Sequence, residues 1–302
     1  MKKIAEGSLR NKQYSNQFII FVLIGQQFFG ALAFPISKYG LNIIEPFTFA
    51  FYRFLISSIL LLLLVKIQKP KPDVEKKDYW KIISLGLLII PFNQIFFLYG
   101  QKYTSAGHGA LLFATVPIWI FLNAIIILKE KLIWQRMIGI VIAMIGVLII
   151  MFSGAIKFGK EYLYGDLLIL IAVIAWSYYT VIGKHLVEKY GAIRVTTYAL
   201  VSGSLVYFPF GLYMALKFDY SQATLGGWAS VFYMAVMTSI VVYVLWYWVL
   251  KYMDASRIAV FHNLQPVLAS VVAFLWLNEP VGWSFVIGGS IALLGVVIAE
   301  IK

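Results

Sequence analysis

The two halves of this chain repeat each other at a constant offset of 149 residues. Pro117 matches Pro266 and Glu130 matches Glu279, and the alignment needs no gap between residues 102 and 149. Matches between aliphatic residues mean little in a chain that is 62% hydrophobic, whereas matches of proline and glutamate at one offset are informative. The repeat indicates an internal duplication, so both halves are expected to share one architecture.

Apolar runs fill almost the whole sequence and are long enough to cross a membrane. Only 13% of the residues are charged, against about 25% in a soluble domain. A helix of about 20 apolar residues crosses the ~30 Å hydrocarbon core of a bilayer. Ten spans are therefore predicted, with nine or eleven as the alternative counts. The predicted spans are residues 17–37, 46–66, 80–100, 105–128, 133–152, 164–184, 195–216, 227–250, 256–277 and 281–300.

Basic residues divide the loops into two groups and thereby predict the topology. With the amino terminus inside, the inner segments hold 19 Lys and Arg residues and the outer segments hold five. Because cytoplasmic loops are enriched in Lys and Arg, this distribution favours ten helices with both termini in the cytoplasm, at a cell membrane. The net charge of +12 is carried mainly by these loops, so we expect no nucleic-acid partner.

The predicted fold is an all-α polytopic membrane protein with ten transmembrane helices arranged as two inverted five-helix repeats. The first repeat is placed at residues 1–152 and the second at residues 164–302. Five is an odd number, so the second half enters the membrane from the opposite side. Inverted repeats are typical of secondary transporters that alternate access around a midplane site. A duplicated bundle without a transport role is the alternative.

The order and spacing of several short motifs resemble the EamA family of the drug/metabolite transporter superfamily over about residues 17–300. The first span departs from the family pattern, because Phe29 stands where the family usually has Trp. The matching motifs are Gly30 with Pro35–Lys38, Arg53-Phe54, Ala106 to Pro117 followed by Glu130, Phe261–Val267 followed by Asn278–Pro280, and the pairs Gly139/Gly146 and Gly288/Gly295.

The resemblance implies a basket of ten helices around a central cavity. Helices 1, 3, 4, 6, 8 and 9 are expected to line that cavity, and helices 5 and 10 are expected to stand behind it. It further implies transport, mostly export, of small polar or amphipathic metabolites such as amino acids.

Polar residues within the spans are the candidates for substrate binding, because an unpaired polar group in hydrocarbon is costly. The alternative for each is structural: amides can hydrogen-bond between helices, and aromatic rings can pack or lie at the membrane interface. Tyr243 and Trp246 share one helix face, which suits an aromatic or partly apolar substrate. The predicted cavity residues are Gln26, Asn93, Gln94, Tyr179, Tyr243, Trp246, His262, Asn263 and Gln265.

Three prolines inside spans are predicted to kink their helices or to act in gating, because proline cannot donate a backbone hydrogen bond. Pro91 directly precedes the Phe-Asn-Gln run of the third span. Pro117 and Pro266 interrupt matching helices of the two halves, a pattern that points to a transporter binding site. A kink that only serves packing is the alternative.

Four charged residues are possible charge partners. Lys38 and Arg53 are candidates for binding a substrate carboxylate. Arg53 can instead extend to the outer surface or pair with Glu45, and this structural role is preferred. Glu130 and Glu279 occupy matching tight turns on opposite membrane faces, so they are expected to bond helix ends or to act in gating.

The predicted function is that of a secondary transporter that moves an amino acid or a related compound, in the export direction, by alternating access. A membrane-embedded enzyme or a lipid-linked sugar carrier on the same scaffold is the alternative. The chain has no cysteine and no metal-ligand or nucleophile–base motif, so no enzymatic activity, cofactor or metal is expected. The expected partners are a small-molecule substrate and the bilayer, with the protein a monomer or a homodimer.

Overall fold

The computed structural model describes residues 14–67, 74–104, 112–152, 162–265, 267–268, 271 and 283–300. Those residues form ten helices, numbered here in chain order. They are α1 (Asn16–Leu41), α2 (Pro46–Ile67), α3 (Tyr79–Leu87, Leu88–Ile95 and Phe96–Tyr103 in succession), α4 (Leu112–Leu128), α5 (Trp134–Phe152), α6 (Leu163–Tyr190), α7 (Ala192–Lys217), α8 (Leu225–Tyr252), α9 (Ala255–Ala259, continued by Val260–Asn263) and α10 (Trp283–Glu300).

Most of these helices are long and apolar enough to cross a membrane. Helices α1, α2, α3, α6, α7 and α8 each have at least 18 residues, and α4, α5 and α10 contain shorter apolar stretches. The structure extends α6 to Tyr190, six residues beyond the predicted span, so Lys184 lies within the helix and not at its end. Residues 105–111, which were predicted to begin the fourth span, lie outside the described part of the chain.

The helix ends lie at two faces of the bundle. Tyr14, just before α1, packs against Trp248 and Tyr252 near the end of α8, and we call this side the N face. Tyr39, near the end of α1, lies against Gly226 at the start of α8, and we call this side the far face.

The two halves enter the bundle from opposite faces. Helix α1, the first of the first half, runs from the N face to the far face. Helix α6, the first of the second half, runs the other way, because Lys184 in its last part donates to the Met253 carbonyl at the N-face end of α8. The predicted fold, an all-helical membrane protein with two inverted repeats, is therefore confirmed.

Helices α3 and α8 hold equivalent places in the two halves, and both contain a π-helical segment. The first segment, Leu88–Ile95, surrounds Pro91. Proline cannot donate to the carbonyl one turn earlier, and the wider π turn accommodates that loss without breaking the helix. The second segment, Met234–Val242, contains no proline. Shifted by 149, the first segment falls on residues 237–244, so the two overlap.

Helices α5 and α10 pack with their backbones in close contact. A Cβ atom added to Gly146 would lie 2.4 Å from both the Gly288 carbonyl oxygen and the Ala292 nitrogen. A Cβ atom added to Gly139 would lie 2.5 Å from the Gly295 carbonyl oxygen. Small residues allow this approach, which is the usual way in which membrane helices gain van der Waals contact.

Candidate transport cavity

A cavity lies among the helices and contains about 600 Å³ of empty space, its mouth included. The described lining residues come from α1, α3, α4, α6, α8 and α9. Those on α1, from Gln26 to Ser37, extend from about the middle of that helix toward the far face. Helices α5 and α10 contribute none of the described lining residues. Six of the predicted residues line the cavity, namely Gln26, Asn93, Gln94, Tyr243, His262 and Gln265.

Asn93 and Gln94 form a chain of hydrogen bonds in one wall of the cavity. Gln94 Nε2 donates to Asn93 Oδ1, and Asn93 Nδ2 donates to the Ala172 carbonyl on α6 at 2.8 Å. Gln26, in another wall, donates from Nε2 to the Val242 carbonyl at 3.4 Å. Its Oε1 atom is buried without a partner among the described residues. Gln26 therefore offers a hydrogen-bond acceptor that a ligand can use.

Arg53 lies behind this wall and is fully buried, with 0% of its surface exposed. Its Nε donates to Ser239 Oγ at 2.9 Å, and its Nη1 donates to Gln94 Oε1 at 2.7 Å. Glu45 instead accepts from the backbone and side chain of Thr48. Extension of Arg53 to the outer surface and pairing with Glu45, the two structural alternatives predicted from the sequence, are both wrong. The guanidinium group instead links the π segments of α3 and α8.

An aromatic floor closes the cavity on the side of the N face, and it consists of Trp176, Tyr179, Tyr243, Trp246 and His262. The ring centres of Trp246 and His262 are 4.6 Å apart, and those of Trp176 and Tyr243 are 5.5 Å apart. Trp176 Nε1 donates to His262 Nε2 at 3.0 Å. That bond requires a neutral imidazole whose proton is on Nδ1. Tyr179 and Trp246 are buried beneath the lining residues, and they pack against the lining residue Trp176.

The end of α9 contributes the last predicted residues. Gln265 lines the cavity beside Gly30, where an added Cβ atom would lie 2.8 Å from Gln265 Nε2. Glycine at position 30 therefore makes room for this amide. Asn263 is fully buried, and neither atom of its side-chain amide has a partner among the described residues.

A cluster of charges closes the bundle at the N face, and we call it the N-face clamp: Glu130, Arg136, Lys184, Asp254 and Ser256. Glu130 accepts from Lys184 Nζ at 3.0 Å and from Ser256 Oγ at 2.6 Å. It also accepts from the backbone nitrogens of residues 255 and 256 at 2.9 and 3.2 Å. A carboxylate from the turn after α4 in the first half thus caps the start of α9 in the second half, where the helix dipole favours a negative charge.

The remaining contacts of the clamp add α5 and the turn before α9. Lys184 Nζ lies 3.7 Å from Asp254, which in turn pairs with Arg136 of α5 at 3.0 Å. Burial alone would raise the pKa of Glu130, but the Lys184 ammonium and the Ser256 and backbone donors hold this pKa below its usual value. Glu130 therefore keeps its negative charge over the physiological range of pH.

Several residues predicted from the sequence have no described site geometry. Pro266 and Glu279 lie outside the described residues, as does the side chain of Lys38. Pro117 lies in the first turn after a break in α4 at Thr115, where a missing N–H costs nothing.

Trp176 and Lys184 were not predicted as site residues. The clamp partner of Lys184 is Glu130, which is 54 positions away in the chain, so no local sequence pattern identifies this pair.

The chain forms two inverted helical halves with a polar cavity between them, and ion pairs seal one face of the bundle. This arrangement defines a membrane transport protein. The model of the EamA-like transporter family matches residues 17–152 and again residues 163–300. The chain therefore belongs to the EamA-like transporter family. It is a multi-pass membrane transporter for a small-molecule substrate and not an enzyme.

Individual relatives agree with this assignment. The uncharacterized transporter YyaM of Bacillus subtilis is 31% identical over 286 residues, which is 93% of each chain. YetK of the same organism is 31% identical over 88% of this chain and 82% of its own. A probable terminal-alkyne amino-acid exporter of Streptantibioticus cattleyicolor is 26% identical over 89% of this chain and 88% of its own. One crystal structure shares the fold with a TM-score of 0.76 at 16% identity, covering 93% of this chain and 95% of the other.

Proposed function

We propose that this protein is a secondary transporter that exports an amino acid or a related small polar or amphipathic compound by alternating access. The main support for the proposal is that the cavity is closed toward one face of the bundle and not toward the other. Along α1, the cavity extends from about the middle of the helix toward the far face, whereas the aromatic floor and the N-face clamp seal it from the N face. In the opposite state of the cycle the clamp opens.

The chemistry of the cavity supports a substrate that is polar at one end and partly apolar. Gln26, Asn93, Gln94 and Gln265 supply amides, while Tyr243 and the other rings of the floor supply apolar and aromatic surface. Amino acids and their relatives combine these features. The relative named as a probable amino-acid exporter supports both this substrate class and the outward direction.

We propose further that the N face is cytoplasmic, with both termini there, and that the repeats cover residues 1–152 and 164–302. The excess of basic residues in the loops of this face supports that orientation. We propose that the protein acts as a monomer or a homodimer. Because the chain has no cysteine, single cysteines can test the orientation. Position 75 should react only with reagent on the cytoplasmic side and position 160 only with reagent outside; the reverse labelling contradicts the proposal.

The substrate class is tested with purified protein. A thermal-shift screen against amino acids, nucleobases and organic acids selects ligands, and counterflow into proteoliposomes measures their exchange. We expect saturable counterflow of an amino acid or a close relative. Exchange limited to nucleobases or to lipid-linked sugars would contradict the proposed substrate class. Absence of exchange for every stabilising ligand would contradict transport by this cavity.

A further inference from the structure

Arg53 is a buried cation that has no carboxylate partner among the described residues. Its Nε and Nη1 atoms donate to the neutral oxygens of Ser239 and Gln94, and its Nη2 atom is buried without a partner in the described part of the chain. No described Asp or Glu oxygen lies within 4.0 Å of the guanidinium. The Phe54 ring also lies near the guanidinium, with its centre 5.0 Å away.

Such an arrangement is unfavourable unless something supplies the missing negative charge. Arginine remains protonated in proteins, so Arg53 cannot lower the free-energy cost of its burial by losing its proton. Buried charges within membrane proteins are normally paired, and unpaired ones mark substrate or ion pathways. Neutral oxygens and an aromatic ring offset only a part of this cost.

The guanidinium group lies directly behind the wall of the cavity. Gln94 accepts from Arg53 and also lines the cavity, and Tyr243, a second lining residue, has its hydroxyl group within electrostatic reach of Arg53. The Tyr243 hydroxyl and the Arg53 guanidinium are each other's electrostatic partners, but neither Tyr243 Oη nor Arg53 Nη2 makes a hydrogen bond of good geometry with a described residue. Both groups therefore keep capacity for a further hydrogen bond.

We infer that Arg53 recognises a carboxylate group of the transported compound, with Tyr243 as a second donor. This inference rests on the proposed transport function. A carboxylate is planar and accepts two parallel hydrogen bonds from a guanidinium group, which matches the free Nη2 atom and an Nη1 atom that has only a neutral partner. The amides and the imidazole elsewhere in the cavity remain available for the other end of the substrate.

Binding in this way would also change the contacts between helices. Gln94 connects Arg53 of α2 to Asn93, and Asn93 is bonded to the Ala172 carbonyl of α6. A carboxylate that takes Nη1 releases Gln94 and loosens this chain. Arg53 also holds Ser239 in the π segment of α8. One anionic group can therefore alter contacts of α3, α6 and α8 together, which gives the substrate a means to favour a different conformation.

The test compares compounds that differ only in the carboxyl group, such as an exchanged amino acid and its amide, in both thermal-shift and counterflow assays. A hydrogen-bonded charge partner corresponds to roughly a 10- to 150-fold preference for the acid in the wild-type protein. Arg53→Gln should reduce this preference to within a few-fold, and Arg53→Lys should retain part of it. Arg257→Gln, which removes an arginine paired with Glu300 at the N face, should leave the preference unchanged.

The outcomes are distinct. If the wild-type protein exchanges the acid and the amide equally well, Arg53 does not recognise a carboxylate, although transport stands. If Arg53→Gln folds and still prefers the acid as strongly as the wild type does, the assignment to Arg53 is wrong. If Arg53→Gln does not fold, the wild-type comparison of the two ligands still decides whether a carboxylate is recognised, and Arg53→Lys tests the residue. If no compound is exchanged at all, the proposed function itself fails, and this inference fails with it.

Discussion

Replacing Glu130 by glutamine should open the N face. Glutamine has the shape of glutamate, but it loses the charge that holds Lys184, and it turns one of two acceptor oxygens into a donor. Removing one partner of a buried ion pair typically costs about 3–5 kcal/mol. Asp254, 3.7 Å from Lys184, remains as a second partner, so we expect the closed N face to lose about 2–4 kcal/mol. That change corresponds to a shift of roughly 30- to 700-fold toward the open state.

A cysteine at position 259 reports this opening. Ala259 is fully buried on α9, four residues after the clamp contact at Ala255 and three before His262 of the cavity, so all three share one helix face. We measure the rate at which a water-soluble maleimide labels the Ala259→Cys protein in detergent, well below its melting temperature. With Glu130→Gln added, the labelling rate at position 259 should rise by up to roughly 30- to 700-fold.

Glu75→Gln is the matched control for this experiment. Glu75 pairs with Lys77 and Lys189 at the same face, but its side chain is 46% exposed. Exposed pairs contribute at most about 1 kcal/mol, so labelling at position 259 should change less than about fivefold. If the protein with Glu130→Gln is folded and its cysteine at position 259 is labelled no faster than in the Ala259→Cys parent, the N-face clamp does not hold this end closed.

Three further substitutions test other parts of the structure. Gly146→Ala should lower the melting temperature, because its Cβ would overlap backbone atoms of α10 and overpacking costs about 1–3 kcal/mol, whereas Gly25→Ala, with nothing within 4 Å, should not. Asp78→Asn should remove pH dependence of stability below about pH 4. Hydrogen bonds from Lys189 and then from Tyr190 hold the pKa of Asp78 well below its usual value. The stabilisation by Asp78 is therefore present above about pH 4 and is lost as the pH falls below it. Gln265→Ala should abolish counterflow without lowering expression, and wild-type exchange by this variant would remove Gln265 from the site.

The fold was predictable because its signals are local or repeated. Apolar runs predict the spans, and the 149-residue offset shows that the halves are related. The basic loops predict the direction across the membrane, which stays a prediction. Pro91 was recognised as a local disturbance of α3. The equivalent π segment of α8 has no proline, so only the structure reveals that both halves share this feature.

The site was harder to predict, because its residues are brought together by contacts between segments that are distant in the chain. The polar residues of the spans could be found, but the sequence does not tell which side of a helix faces the cavity. Arg53 shows the difficulty. Its partners Gln94 and Ser239 are 41 and 186 positions away, so the sequence favours extension to the outer surface or a pair with Glu45, and the structure has neither. Glu130 was expected to bond a helix end, but nothing local identified the start of α9 as that end.

The substrate is expected to cross the membrane through the cavity, and a chemical block at one position of the cavity wall tests this route. Ala33 lines the cavity from α1, whereas Phe21 on the same helix is 73% exposed on the outside of the bundle. A bulky thiol reagent should stop counterflow by the Ala33→Cys protein, the transported compound should slow that reaction, and Phe21→Cys should be insensitive. Undiminished counterflow by fully modified Ala33→Cys would show that the substrate takes another route.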